Sequence, residues 1–206
     1  MTNLSNIVSN FTSISLDEMD GVKLMNRTDT KFAFKATKLP FLLNNMQSFY
    51  RVLEIDGELI HDYKSLYYDT EDRKFYLDHH NGRVNRNKIR FREYVGSKLS
   101  FLEIKRKNNK GRTIKKRMKV SSITKELTKK QQAYINQVIG RKIEVGPKQW
   151  INFSRITFVH KAQKERLTLD INLTFKNENS SGDFKEIAIA EVKQERMSRS
   201  SDFMRI

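Results

Sequence analysis

Between Lys88 and Lys107 the chain reads KIRFREYVGSKLSFLEIKRK, with cations recurring at every second position on either side of a short Gly-Ser turn. Period two is the period of a β-strand, whose successive side chains point to opposite faces, so the stretch is predicted to be a hairpin. Arg90 and Arg92 then share one face, and after the turn so do Glu103, Lys105 and Lys107. Guanidinium and ammonium groups set this way meet phosphate oxygens, and a carboxylate among them meets a divalent ion. An antiparallel sheet also commonly turns one polar face to water, and taken alone the hairpin favours that plainer reading.

The pattern recurs along the chain. In NRTDTKFAFKA, Arg27, Asp29, Lys31 and Ala33 alternate with Thr28, Thr30, Phe32 and Phe34. In GRTIKKRMKV, Thr113, Lys115 and Arg117 share a face. Arg155 lies on an aromatic-rich strand. After it, Arg166, Thr168, Asp170 and Asn172 oppose Leu167, Leu169, Ile171 and Leu173. In KEIAIAEVKQER, Ile189, Glu191, Lys193 and Glu195 oppose Ala188, Ala190, Val192 and Gln194, so the Glu-x-Lys of 103–105 has an echo at 191–193. Seven or so strands, each apolar on one side and cationic on the other, suit a closed antiparallel barrel with a charged interior. The aromatic residues are expected to alternate away from the cations and to serve the core.

Helices are predicted between these strands. Ser15 and Glu18 have the spacing of a capping box for a helix to about Met25. Thr37 is placed to cap a helix that takes Pro40 in its first turn and has Phe41, Leu42, Met46 and Phe49 as its apolar stripe. Thr70 is placed to cap a short helix ending near Gly82, and apolar spacing predicts a helix over 121–139 stopped by Gly140. His79 and His80 point in different directions on such a helix and have no third ligand at a metal spacing, so no chemistry is assigned to them. The segment NENSSGD is read as a loop.

A chain of 206 residues fits one domain, and 1–206 is taken as such. Its 40 Lys and Arg against 24 Asp and Glu give a formal charge of +16, which favours a polyanionic partner. With no Cys there is neither a disulfide nor a thiolate metal site, which fits a reducing compartment. No apolar run approaches the ~20 residues that span a bilayer, and the first residues lack the regions of a signal peptide, so the chain is expected to be cytoplasmic. Lys110-Gly111-Arg112-Thr113 does not complete a P-loop and no G-x-G-x-x-G occurs, so the common nucleotide-binding folds find no support.

The ordered set TDTKF, YKSLYYDT, NR-x-KIRFRE, FLEIKRK, SRITF with ERLTLD, and AEVK resembles the VTC domain of polyphosphate polymerases, within the CYTH-like triphosphate tunnel metalloenzyme superfamily. The resemblance covers about Lys23 to the end. It implies an α+β fold whose antiparallel eight-stranded β-barrel, the triphosphate tunnel, has flanking helices. It also implies an ATP-dependent polyphosphate polymerase that passes the γ-phosphate to a growing chain and releases ADP. Lys105, Arg90 and Arg92 take the catalytic positions under this resemblance. Lys31, Arg86, Lys115, Arg117, Arg155, Arg166 and Lys193 are similar to phosphate-binding positions. Glu191 resembles the glutamate that binds Mn2+ or Mg2+, and Glu103 and Asp170 join it by strand parity as metal or cation-orienting groups. ATP and inorganic polyphosphate are the implied partners, with a membrane-protein partner at the cytoplasmic face of a membrane and no nucleic acid. Family members continue into a C-terminal helix with further lysine and serine contacts, which this chain is expected to lack.

Two other functions share this sequence pattern. A triphosphate hydrolase would put water in place of the phosphate acceptor, and a non-catalytic module would bind polyphosphate or nucleotide through the same cations.

Overall fold

A computed structural model describes residues 2–19, 28–110, 112–195 and 200–206. In chain order its elements are α1 (Thr2–Val8), β1 (Ser13–Ile14), α2 (Leu16–Met19), β2 (Thr28–Lys35), a 3₁₀ turn at Ala36–Lys38, α3 (Leu39–Met46), β3 (Tyr50–Leu53), β4 (His61–Asp69) and α4 (Lys74–His80). There follow β5 (Arg86–Tyr94), β6 (Leu99–Lys107), β7 (Thr113–Val120), α5 (Lys129–Ile139), β8 (Gly146–His160), β9 (Glu165–Lys176), β10 (Ser181–Phe184), β11 (Ile187–Gln194) and α6 (Asp202–Arg205). The fold is α+β, a mostly antiparallel sheet with few, short helices, and it contains eight long strands, where the alternation predicts seven or so and the family resemblance implies eight. The chain forms two compact units, Met1–Asp62 with Phe153–Leu173 and Asp183–Ile206, and Tyr63–Asn152 with Thr174–Gly182.

In the first unit the strand order is β2-β11-β9-β8. β3 lies antiparallel beside β8, and β1 lies parallel beside β3. Alternation sends Leu167, Leu169 and Ile171 of β9 and Ala188, Ala190 and Val192 of β11 into a buried cluster with Leu39, Leu43 and Met46 of α3. The stripe on α3 differs from the predicted one, because the 3₁₀ turn delays the α-helix to Leu39. The i, i+4, i+7 set beginning there faces inward, Phe41 is 61% exposed, and Thr37 caps nothing. Ser15 and Glu18 do form the expected reciprocal cap, with Ser15 N donating to Glu18 Oε2 at 2.8 Å and Glu18 N to Ser15 Oγ at 3.3 Å. The continuation of that helix to Met25 and the position of Arg27 lie outside the described residues.

A buried polar network holds the last residues against this unit. Glu165, 1% exposed, accepts hydrogen bonds from Tyr50 Oη, Gln194 Nε2 at 2.8 Å and Ser201 Oγ at 3.1 Å. Tyr50 Oη in turn accepts from Phe203 N at 3.3 Å. His160 Nδ1 accepts from the backbone N–H groups of Ala162 and Gln163, so its proton sits on Nε2, which donates to Asp202 Oδ2 at 2.8 Å.

In the second unit β4-β5-β6-β7 run antiparallel. Its own core joins Leu66, Tyr68, Ile89, Phe91, Leu102 and Ile104 to Phe75 of α4 and to Ile135 and Ile139 of α5. Asp69 accepts from the backbone N–H groups of Phe75 and Tyr76, both at 2.8 Å, and Thr70 Oγ1 from Lys74 N at 3.0 Å, which fixes the start of α4. α5 starts later than the apolar spacing predicts, at 129 rather than 121. Thr124 Oγ1 exchanges hydrogen bonds with the backbone of Glu126, a local arrangement that competes with helix, and the first complete capping box is Thr128 with Gln131. Gly140, at φ +82°, ends it as expected. The predicted loop 177–183 contains part of β10, which pairs with β9. Among the described residues no helix is long and apolar enough to cross a membrane.

The network around Glu165 sets an expected outcome. Tyr50→Phe removes a donor from a buried carboxylate and the acceptor of Phe203 N, so the free energy of unfolding in urea should fall by roughly 1–3 kcal/mol. Hydrogen exchange at Phe203 N should rise with it.

Candidate functional site

In the second unit, antiparallel register lays the polar side chains out in cross-strand rows. Lys88, Lys105 and Lys115 make one row, and Tyr67, Arg90, Glu103 and Arg117 the next. Ser65, Arg92, Phe101 and Lys119 follow. Glu103 is the counter-charge of this face. It is 2% exposed, and its Oε2 accepts from Arg90 Nε at 2.8 Å and Nη2 at 2.6 Å, while Lys115 Nζ lies 2.5 Å from Oε1. Arg90 Nη1 also donates to Tyr67 Oη at 3.0 Å, and Arg92, 7% exposed, donates from Nε to Ser65 Oγ at 3.1 Å. Lys105 is exposed beside Lys88 and Lys115, and Arg86 stands further out, its Nη1 bonded to the Arg83 carbonyl.

Burial and charge act on these groups in opposite senses. Burial pushes the Glu103 carboxyl up, but Arg90 and Lys115 outweigh it and hold the group below the ordinary carboxylate range. Burial pulls the Lys115 ammonium down more than Glu103 restores it, and it pulls down Lys88, which has Lys105 and Arg90 nearby. Burial would raise the Tyr67 phenol, yet Arg90 and Arg92 bring it below its usual value. His79 Nε2 lies 3.1 Å from Lys88 Nζ, and burial and that neighbour lower the imidazole.

The first unit repeats the device with Glu191. Its carboxylate is clamped between Lys31 Nζ and Lys193 Nζ, the latter at 2.5 Å, and Lys193 reaches Thr168 Oγ1 at 3.4 Å. Lys31, Glu191 and Thr168 are in register across β2, β11 and β9, with Lys193 and Arg166 paired one step along. Arg155 grips Asp170 through two parallel bonds, Nε to Oδ1 at 2.6 Å and Nη2 to Oδ2 at 2.7 Å, and lies over the Phe153 ring. Burial alone would raise the Glu191 carboxyl, but the two lysines bring it down to about 2. Lys193 loses more to burial than Glu191 returns and sits below the ordinary lysine range.

Of the residues singled out in the sequence, Arg90, Arg92, Glu103, Lys105, Lys115 and Arg117 share one face, with Arg86 at its outer end. Lys31, Arg155, Arg166, Asp170, Glu191 and Lys193 share another. The expectation that aromatics turn away from the cations is corrected. Arg90 lies over Tyr67, Arg92 over Tyr63 and Arg117 over Phe101, at 5.8, 5.1 and 4.7 Å from the ring centroids. The signal was present in YKSLYYD, where Tyr63, Ser65 and Tyr67 have one parity and Leu66 and Tyr68 the other.

Each face offers a carboxylate with oxygen donors and no sulfur. Among the described residues no group of three or more His, Cys, Asp or Glu could hold a metal ion by itself. That donor set fits Mg2+ or Mn2+, hard ions that take one or two carboxylates and fill the remaining positions with water and phosphate oxygens.

No curated protein matches the sequence. Among solved structures, a candidate adenylate cyclase from Bacillus halodurans is 11% identical over 88% of this chain and 86% of that one, with a TM-score of 0.52, a likeness of fold. A candidate adenylate cyclase from Vibrio parahaemolyticus is 12% identical over 86% and 80%, with a TM-score of 0.48. A candidate adenylyl cyclase from Hippeastrum, with a dominant triphosphatase activity, is 14% identical over 82% and 80%, with a TM-score of 0.44. The model of the VTC domain matches residues 26–205, a span that takes in both clamped glutamates and every strand that carries their cations, and the chain belongs to the VTC domain family.

Proposed function

We propose that this protein is an ATP-dependent polyphosphate polymerase. The observation that carries the reading is the repeated clamp, a carboxylate held between two cations on a sheet face otherwise lined by Arg and Lys. Such a face suits phosphoryl transfer, where catalysis is mostly the positioning of phosphates and the neutralisation of charge as it moves. A terminal phosphate oxygen of the chain attacks the γ-phosphorus. The new P–O bond forms as the bond to the β,γ-bridging oxygen breaks, and ADP leaves with the electron pair. Arg90 and Arg92, held by Glu103, Tyr67 and Ser65, keep their guanidinium planes fixed toward phosphate oxygens, and exposed Lys105 meets the transferring group. Lys31 and Lys193 flank Glu191 as phosphate-binding cations, and Arg155 and Arg166 add cations on the same face. Glu191 on one face, or Glu103 on the other, would hold Mg2+ or Mn2+, which would supply charge neutralisation to a bound phosphate. The reading places the chain in the cytoplasm, alone or at the cytoplasmic face of a membrane through a partner protein.

Incubation with ATP and Mn2+, followed by gel resolution of polyphosphate, tests the reaction. Chains should appear, and Lys105→Ala should abolish or strongly slow their growth. Chain synthesis unchanged in Lys105→Ala removes that residue from the site, orthophosphate without chains assigns a hydrolase, and ATP binding without turnover assigns a binding module.

Glu191→Gln keeps the side-chain shape and removes the charge between Lys31 and Lys193. Turnover should fall by roughly 10²-fold, the scale of losing one preorganised electrostatic contact. Inorganic tripolyphosphate measured in a metal chelator should bind the variant at least as tightly as the parent, because two ammoniums are released.

The pH dependence has a definite sign. Glu191, titrating near 2, stays ionised throughout the neutral range and gives no acid limb there. Lys88, Lys115 and Lys193, all lowered, lose their protons at lower pH than an ordinary lysine. Triphosphate affinity should therefore weaken on the alkaline side before the usual lysine range is reached, as calorimetry across pH 7–10 would show.

A further inference from the structure

The rows of the second unit change character along the strands. Beyond the row containing Arg92 and Phe101 comes one of Tyr63, Tyr94 and Leu99, next to the β5–β6 turn. Tyr63, Tyr94 and Phe101 form a small cluster, with centroids 5.1 Å apart at 60° for Tyr63–Tyr94 and 6.0 Å apart at 90° for Tyr94–Phe101. None of the three belongs to the buried core of this unit, which uses the opposite parity, and all three are partly exposed. Arg92 lies over one ring of the set and Arg117 over another. From Arg90 to Tyr94 is four residues, roughly 13 Å of strand.

A bare phosphate chain has no π face and gains nothing from these rings. A nucleoside triphosphate has a planar base at one end and three phosphates at the other, which is the order of chemistry along these rows. We propose that Tyr63, Tyr94 and Phe101 form a nucleobase-stacking subsite beside the phosphate-directed Arg92 and Arg117. It orients a nucleoside triphosphate with its base toward the β5–β6 turn and its phosphates toward Lys88, Lys105 and Lys115. The rings are tilted to one another, so a base lies flat on one and meets the edge of another, and the guanidiniums of Arg92 and Arg117 steady Tyr63 and Phe101 by cation–π contact. The subsite rests on the reading of this face as a triphosphate site and adds to it a reason to prefer a nucleotide over inorganic triphosphate.

The test compares ATP with inorganic tripolyphosphate by calorimetry on the parent, Tyr94→Leu, Phe101→Leu and Tyr94→Phe. The parent should bind ATP more tightly than tripolyphosphate. Each Leu variant should lose roughly tenfold or more in ATP affinity, the scale of one lost base–aromatic stack, while tripolyphosphate affinity stays within about twofold. Tyr94→Phe keeps the ring and should keep ATP affinity. Equal loss for both ligands would show that the rings only position Arg92 and Arg117 and would overturn the subsite, as would no loss for either. A parent that binds tripolyphosphate as tightly as ATP overturns the subsite alone. A parent that binds neither overturns the triphosphate reading and the subsite together.

Discussion

A sheet face that carries three or four cations in adjacent rows repels itself, and it folds only if counter-charge is built into the same face. Glu103 and Glu191 supply it. Each is held by two cations from neighbouring strands or the same strand, and each carboxyl is kept ionised against the pull of its own burial. The geometry of the arginines follows from this, because Arg90 can hold one orientation only while Glu103 and Tyr67 occupy three of its nitrogens. The cost of burying Lys193 and of partly desolvating Lys115 falls on their ammonium groups, which is why both are pulled below the ordinary lysine range.

Period-two alternation made the strands legible. Arg90, Arg92, Glu103, Glu191 and Lys193 each alternate with a residue that belongs to a core, and one parity choice per strand sorts them, whereas Lys115 stands between exposed Ile114 and Lys116 and is placed by its register with Lys105. Parity was read too narrowly for the aromatics. Tyr67 and Tyr68 are adjacent and equally β-favouring, yet Tyr68 is 2% exposed in the core while Tyr67 bonds Arg90 on the other face. Composition treats such residues alike, and only their register separates them.

Other features carried no local signal. The bonds joining Glu165 to Tyr50 and Ser201 span 115 and 36 residues, and no short spacing announces them. His160 has no motif around it, and its place is set by Nδ1 accepting hydrogen bonds from the backbone of Ala162 and Gln163. The start of α5 was obscured because Ile123 and Leu127 continue the apolar spacing of the helix and pack on the same core without being helical. There, tertiary burial imitates amphipathic periodicity, and the Thr124 and Thr128 side chains decide the boundary.

The clamped carboxylates bear on how a polyanion meets this protein. A formal charge of +16 suggests a loose, salt-sensitive attraction in which each phosphate displaces small counter-ions from solution. At Glu103 and Glu191 the counter-ions are part of the chain, so an arriving phosphate exchanges with an anion that cannot diffuse away. On the proposed reading, binding there is a substitution reaction between two oxyanions of different geometry. Selectivity can then come from how well a ligand outcompetes a tethered carboxylate, and not only from how much charge it carries.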